Sequence, residues 1–174
     1  MNLVIVESPA KAKTINKYLG SNFKVLASFG HVRDLPSKDG SVRPAEDFAM
    51  DWEIDSDSKK RMKDIADAAK GVEMLYLATD PDREGEAISW HLHELLEDRG
   101  LLKNKTSQRV VFDEITKRSI QEAIQNTREL ALEQVNAPQA RRALDSLVGF
   151  NLSPFLRHNI RRGLTTGRVH TPTL

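Results

Sequence analysis

Two apolar runs, each passing straight into a polar turn that contains proline, constrain this chain more than any other feature of its 174 residues. Asn2 to Val6 is rich in β-branched residues and leads into Glu7-Ser8-Pro9, while Val72 to Thr79 leads into Asp80-Pro81-Asp82-Arg83-Glu84-Gly85-Glu86. Nearly continuous apolar runs of this length fit strands covered on both faces, the situation of a parallel sheet. Ser8 and Pro9 supply an N-cap and a first helical residue, so the first run is a strand turning into a helix. Ile15, Tyr18 and Leu19 carry that helix to Gly20, and Phe23 to Phe29 reads as a second strand closing at Gly30.

From His31 to Arg61 the periodicity is poor and Pro36, Gly40 and Pro44 punctuate it, so a long loop is expected before a helix near Lys59 to Ala69. The second strand-to-helix turn feeds a helix through Glu97, and a short strand from Arg109 to Phe112 leads to a helix starting near Thr116. The order β-α-β-loop-α-β-α-β-α predicts an α/β fold with a mainly parallel sheet flanked by helices. Beyond Glu129 only helix signals remain. Ala140, Ala143, Leu144, Leu147 and Val148 form one apolar stripe, and Pro154 to Arg162 reads as a further short helix ending at Gly163. The expected division is an α/β domain over 1–127 and an incomplete helical segment over 128–174 that begins a second domain.

Composition excludes several classes. With no cysteine, there is no disulfide framework, thiolate zinc site or cysteine nucleophile. The longest apolar run, Met74 to Ala78, is far short of the roughly 20 residues of a membrane span, and an acid directly after the first apolar stretch reverses the order of a secretory signal. A cytoplasmic protein is expected. The 26 basic and 25 acidic residues leave a net charge of +1, so no global basicity points to nucleic acid. The distribution is polarised, with six acids and no base between Glu46 and Asp57, and four arginines and no acid after Asp145. Read plainly, either cluster is a solvated face.

In a parallel α/β sheet, ligands gather beyond the carboxyl ends of the strands, where Glu7 and the Asp80, Asp82, Glu84 cluster both fall. Crowded carboxylates repel unless a cation lies among them, and one or two carboxylates with phosphate oxygens and waters is the usual way Mg²⁺ is held. Taken alone, the second turn reads equally well as an Asp80 N-cap with acids near the helix dipole. Glu7 at an equivalent strand end tips the reading towards a phosphoryl-transfer site. Lys11 and Lys13 follow at a helix N-terminus that already favours phosphate, although both could equally be solvated. No G-x-x-x-x-G-K-[ST] motif occurs, and His91 and His93, two apart on a helix, do not form a zinc pair.

Together, Val6 to Ile15, Gly-His-Val-Arg-Asp-Leu-Pro (30–36) and Leu-Ala-Thr-Asp-Pro-Asp-Arg-Glu-Gly-Glu-Ala-Ile (77–88) resemble the amino-terminal part of the bacterial type IA DNA topoisomerases, beginning with their TOPRIM domain. The resemblance continues through 112–116, 136–145 and 163–170 and so covers essentially the whole chain. It implies an ATP-independent isomerase that relaxes negatively supercoiled DNA through a transient tyrosine-5′-phosphate linkage and requires Mg²⁺. It implies that Glu7, Asp80, Asp82 and Glu84 hold the metal or manage protons at the scissile phosphate, with Glu7, Lys11 and Glu84 catalytic. It also implies that His31, Arg141, Arg142, Asp145, Arg157 and the loop Thr165, Thr166, Gly167, Arg168, Val169 and His170 lie along single-stranded DNA. Thr165, Thr166 and His170 depart from the family's usual Ser-Ala-Gly-Arg-Val-Gln, and Asp113 stands where asparagine is more usual. Independently of resemblance, arginines without neighbouring acids suit a phosphate backbone.

Neither tyrosine suits a nucleophile: Tyr18 lies on an amphipathic helix and Tyr76 inside a buried strand. The expectation is therefore a monomeric fragment that carries half of an active site, acts on single-stranded and negatively supercoiled duplex DNA, needs no nucleotide and is inactive alone. The competing classes are a complete TOPRIM nuclease, which would use the same acids to activate water, and a non-catalytic nucleic-acid-binding module.

Overall fold

In the computed structural model, which describes residues 1–36 and 38–159, the elements run in the expected order. They are β1 (Asn2–Val6), α1 (Pro9–Leu19), β2 (Phe23–Ala27), β3 (Val42–Arg43), β4 (Ala49–Met50), α2 (Ser56–Lys70), β5 (Met74–Leu77), α3 (Arg83–Asp98), β6 (Thr106–Arg109), α4 (Lys117–Gln125) and α5 (Leu132–Asn159). A 3-10 turn, Pro44–Glu46, lies between β3 and β4. The chain divides into two compact units, Met1–Arg33 with Ile54–Val135, and Asp34–Glu53 with Asn136–Leu174. Val135, 1% exposed, closes the first unit, and 34–53 lies in the second.

The first unit holds a four-stranded sheet in the order β2-β1-β5-β6, with every pairing parallel. Its strands alternate residue by residue between two cores. Leu3, Ile5, Leu75 and Leu77 pack on one face with Met62 and Ile65 of α2 and Ile88, Leu92 and Leu96 of α3. Val4, Val6, Tyr76 and Ala78 pack on the other with Ile15 of α1 and Ile120 and Ala123 of α4. Both faces are dry, so the polar alternation of a half-exposed strand is missing from the sequence. Burying one such leucine or isoleucine contributes about 1.5–3 kcal/mol.

Several boundaries differ from expectation. The second strand stops at Ala27 because Phe29 takes a left-handed conformation, φ 63°, incompatible with extended pairing. Asp55 caps α2 by accepting from the Ser58 N–H at 2.8 Å, so that helix starts three residues before Lys59. The last strand is Thr106–Arg109 and not 109–112. It is an edge strand, where polar residues cost little, and hydropathy alone is blind to it. The short helix expected from Pro154 is instead the end of one continuous α5, with Pro154 inside it. Proline removes a single backbone N–H there, leaving the Phe150 carbonyl without that partner. The end expected at Gly163 lies outside the described residues.

In the second unit, β3 and β4 pair antiparallel, and Asp34 and Glu53 exchange backbone hydrogen bonds of 2.9 Å in both directions. Arg43 binds Glu46 at 2.7 Å and Asp51 at 2.5 Å, which neutralises part of the acidic run. No helix among the described residues is long and apolar enough to cross a membrane.

One buried ion network underlies the sheet's carboxyl edge. Arg109, fully buried, bonds through Nε to Glu86 Oε2 at 2.9 Å, and Arg128 Nη2 meets the same oxygen at 2.9 Å. The Ala131 N–H donates to Glu86 Oε1 at 2.6 Å. Burial alone would raise the Glu86 pKa, but the bonds from Arg128, Ala131 and Arg109 outweigh it and hold the carboxyl below its ordinary 4.5. Removing one partner of a buried pair strands the other charge at a cost of about 3–5 kcal/mol. Glu86→Gln is therefore expected to destabilise the chain by roughly 3 kcal/mol at pH 7, measured by urea unfolding. Because the folded pKa is depressed, this contribution is complete above the ordinary value and fades as pH falls through the depressed one. The gap between parent and variant should narrow in acid.

Candidate functional site

The parallel register brings the carboxyl ends of β1 and β5 side by side, Ile5 opposite Leu77, so the residues after each strand share one edge. Glu7 follows β1, and Lys11 sits one helical turn later in α1. Ser8 starts that turn by capping: its hydroxyl accepts from the Lys11 N–H at 3.4 Å, with Pro9 at the first helical position. Lys11 Nζ then bonds both Glu7 Oε1 and Asp80 Oδ1, bridging the two strand ends. Burial works against the Lys11 ammonium, yet the bonds to Asp80 and Glu7 prevail and hold its pKa above the ordinary 10.5. Lys13 is exposed.

The turn after β5 is closed by atoms hydropathy does not report. Arg109 donates to the carbonyls of Leu77, Thr79 and Val110 at 2.8–2.9 Å and to that of Asp80 at 2.6 Å. Thr79 Oγ1 reaches the Gly85 carbonyl at 2.5 Å and Ser89 Oγ at 2.8 Å. A Cβ on Gly85 would overlap the Asp80 carbonyl and lie 2.8 Å from its carbon and 2.9 Å from its nitrogen, all backbone atoms that cannot swing away. Glycine is required for space. The N-cap of α3 is Asp82, whose Oδ1 accepts from the Gly85 N–H at 2.6 Å. Asp80 is not the cap, since Arg109 holds its carbonyl in the turn; its carboxylate is free to face Lys11.

The remaining candidates fall into three groups. His31 Nε2 meets Glu84 Oε1 at the same edge. Arg141, Arg142, Asp145 and Arg157 lie on α5, where Arg141 stands 3.9 Å from Asp145 and Arg142 bonds Asp34 Oδ1 at 3.0 Å. Thr165, Thr166, Gly167, Arg168, Val169 and His170 lie outside the described residues, as do Arg161 and Arg162. His91 is buried and accepts from Arg33 Nε at 2.6 Å, whereas His93 meets Ser107 at 3.1 Å, so the two histidines serve different faces. Tyr76 is 8% exposed and Tyr18 packs beside it against the same core cluster.

Metal fit rests on Glu7. Its Oε2 is buried and has no hydrogen-bond partner, a costly state for a carboxylate oxygen unless a cation or proton meets it. No three His, Asp or Glu side chains among the described residues converge into a ready-made cage. Magnesium does not need one, since it retains waters and takes one or two carboxylates with substrate phosphates. The hard oxygens of Glu7 and Asp80 fit it, with Asp82 and Glu84 on the adjoining turn.

Sequence reasoning missed Gly85, Thr79, Arg109, Glu86 and Arg128, which shape the site without forming its exposed surface. An arginine next to the apolar Val110-Val111-Phe112 and a glutamate before the apolar Ala87-Ile88 were the available signals.

Residues 2–115 match the Toprim domain family. DNA topoisomerase 1 of Xylella fastidiosa is 61% identical over 173 residues, 99% of this chain and 21% of that protein. DNA topoisomerase 1 of Rickettsia felis is 56% identical over 175 residues, 100% of this chain and 23% of that protein. The structure of full-length topoisomerase I from Thermotoga maritima superposes with a TM-score of 0.79 at 43% identity, covering 92% of this chain and 27% of that one. The chain spans about a fifth of the length of the curated relatives it matches.

Gly85→Ala is expected to lower stability by about 1–3 kcal/mol, the range for forcing atoms into filled space, as read from thermal unfolding. It should also disturb the NMR signals of Asp80 and Lys11 more than those of α4.

Proposed function

This chain belongs to the Toprim family, and from that premise we propose that it is the acidic half-site of a type IA DNA topoisomerase, which relaxes negatively supercoiled DNA by transient single-strand cleavage and religation without a nucleotide cofactor. The observation that carries the reading is the Lys11 bridge between Glu7 and Asp80, with the second Glu7 oxygen buried and unpartnered. Attack on a phosphodiester needs charge on the phosphoryl oxygens neutralised and the leaving 3′ oxygen protonated. Lys11 serves the first need as a fixed ammonium at a helix N-terminus. Glu7 serves the second, because its unpartnered oxygen can carry and deliver a proton. Glu84 and His31 extend the same edge as a second acid and base pair.

Glu7, Asp80, Asp82 and Glu84 are the residues proposed to hold Mg²⁺, which when bound would add positive charge at the scissile phosphate. Arg141, Arg142 and Arg157 are proposed to follow the phosphate backbone of single-stranded DNA, with Asp145 orienting Arg141, and Thr165 to His170 to continue that contact. The nucleophile is proposed to come from outside residues 1–174, since Tyr76 is buried and burial raises its pKa, against phenolate formation. The proposed setting is a monomeric protein in the bacterial cytoplasm.

The test places Glu7→Gln in a full-length topoisomerase containing these residues. DNA binding should stay near the parent level, while plasmid relaxation slows by roughly 10² or more, the range for losing general acid–base assistance. Tyr18→Phe and Tyr76→Phe should still form the covalent adduct; loss of the adduct from either folded variant would locate the nucleophile in this chain. Calorimetry with the 174-residue chain should show Mg²⁺ heats that the Asp80→Ala, Asp82→Ala double variant abolishes. Nicked product released by this chain alone, with no protein attached, would instead favour a Toprim nuclease.

A further inference from the structure

Phe29 is held in a conformation that its own stability does not explain. It takes a φ of 63°, in the left-handed region where a side chain is strained and glycine is not, and the residue is 51% exposed, so it gains only part of the burial that could offset the strain. The neighbouring backbone is pinned. The Ser28 N–H donates to Val6 at 2.8 Å and the Gly30 N–H to the Glu7 carbonyl at 2.9 Å. Ser28 Oγ closes onto the Gly30 carbonyl at 2.9 Å, and Ser58 Oγ of α2 reaches the His31 carbonyl at 3.5 Å. Arg61, also on α2, stacks its guanidinium over the phenyl ring at 4.5 Å. The result is a flat aromatic surface, backed by a cation and displayed to solvent, two residues from His31 and bonded through its neighbour to the backbone of Glu7.

We infer that Phe29, supported by Arg61, is a stacking platform for one unpaired nucleobase of the DNA strand at the acidic site. A base offers a π face whatever its identity, and an exposed ring with an adjacent guanidinium is the pairing that takes single-stranded nucleic acid without sequence preference. The strain then has a purpose, since left-handed backbone turns the ring outward where an extended residue would continue β2. Arg61 limits the ring's motion and adds positive charge for the neighbouring phosphate. The inference rests on the single-stranded DNA reading above and adds a base contact to a set of otherwise phosphate-directed residues.

Fluorescence anisotropy of the 174-residue chain at low salt, with a labelled oligothymidylate and an abasic oligonucleotide of equal length, tests it. Phe29→Gly should bind the oligothymidylate about five- to tenfold more weakly and the abasic strand as the parent does. Its unfolding midpoint should equal or exceed the parent's, because glycine relieves the strain. Phe29→Trp should keep the affinity for oligothymidylate, and Phe29→Leu should lose it as glycine does. Unchanged oligothymidylate binding by Phe29→Gly, or equal losses on both strands, would overturn the platform while leaving the DNA reading intact. No binding of either strand by the parent chain would overturn both.

Discussion

Arg109 is the interaction on which the arrangement depends. A guanidinium carries its N–H donors in a rigid fork, and here they reach the carbonyls of Leu77, Thr79, Val110 and Asp80 and the carboxylate of Glu86. Such a group cannot be buried unpaired, so Glu86 must face it, and Arg128 and the Ala131 N–H in turn bond the oxygens of Glu86. The backbone that presents Asp80 is thereby held from beneath, by a residue that never reaches the surface. Burial pulls the Arg109 pKa down and Glu86 opposes that pull, the electrostatic signature of a structural ion pair.

The consequence for the site is a division of labour between concealed and exposed charge. Glu86 and Arg109 are wholly buried and fix geometry, whereas Asp80 and Glu84 keep about half of their side-chain surface in water and can meet a ligand. Lys11 stands between these extremes. Its ammonium bonds a carboxylate oxygen of Glu7 and one of Asp80, and so ties the concealed acid to the exposed one.

Much of this was legible in the sequence because both strand-to-helix turns obey local rules. Ser8-Pro9 announces a cap and does cap; the uninterrupted apolar runs announce two-sided burial and alternate between two cores. The edge strand β6 was misread because Thr106, Ser107 and Gln108 carry no hydropathy signal, and its register is set by pairing with β5, a non-local fact. The Asp80-Pro81 pair also misled local reasoning, for the cap is two residues later. What decides this is Arg109, distant in sequence, and the space that only Gly85 leaves beside the Asp80 backbone. Pro154 does not end the last helix, although an interior proline both removes an N–H and crowds the carbonyl one turn earlier; α5 runs through it to Asn159.

The backbone exchange between Asp34 and Glu53 has a consequence for how such a chain can change over evolutionary time. Those two hydrogen bonds close the 34–53 excursion at its neck. On either side of the neck the first unit has its own anchors, Arg33 on His91, Glu94 and Trp90, and Ile54 packed against the core around Leu3 and Ile5. The first unit is therefore anchored on both sides of the neck by residues outside the excursion. Doubling the length of such a loop costs only about 0.6 kcal/mol in closure entropy, so a change of length between these two residues adds little closure cost to the first unit. Variation there can be selected for what the loop touches, with the acidic edge left unaltered.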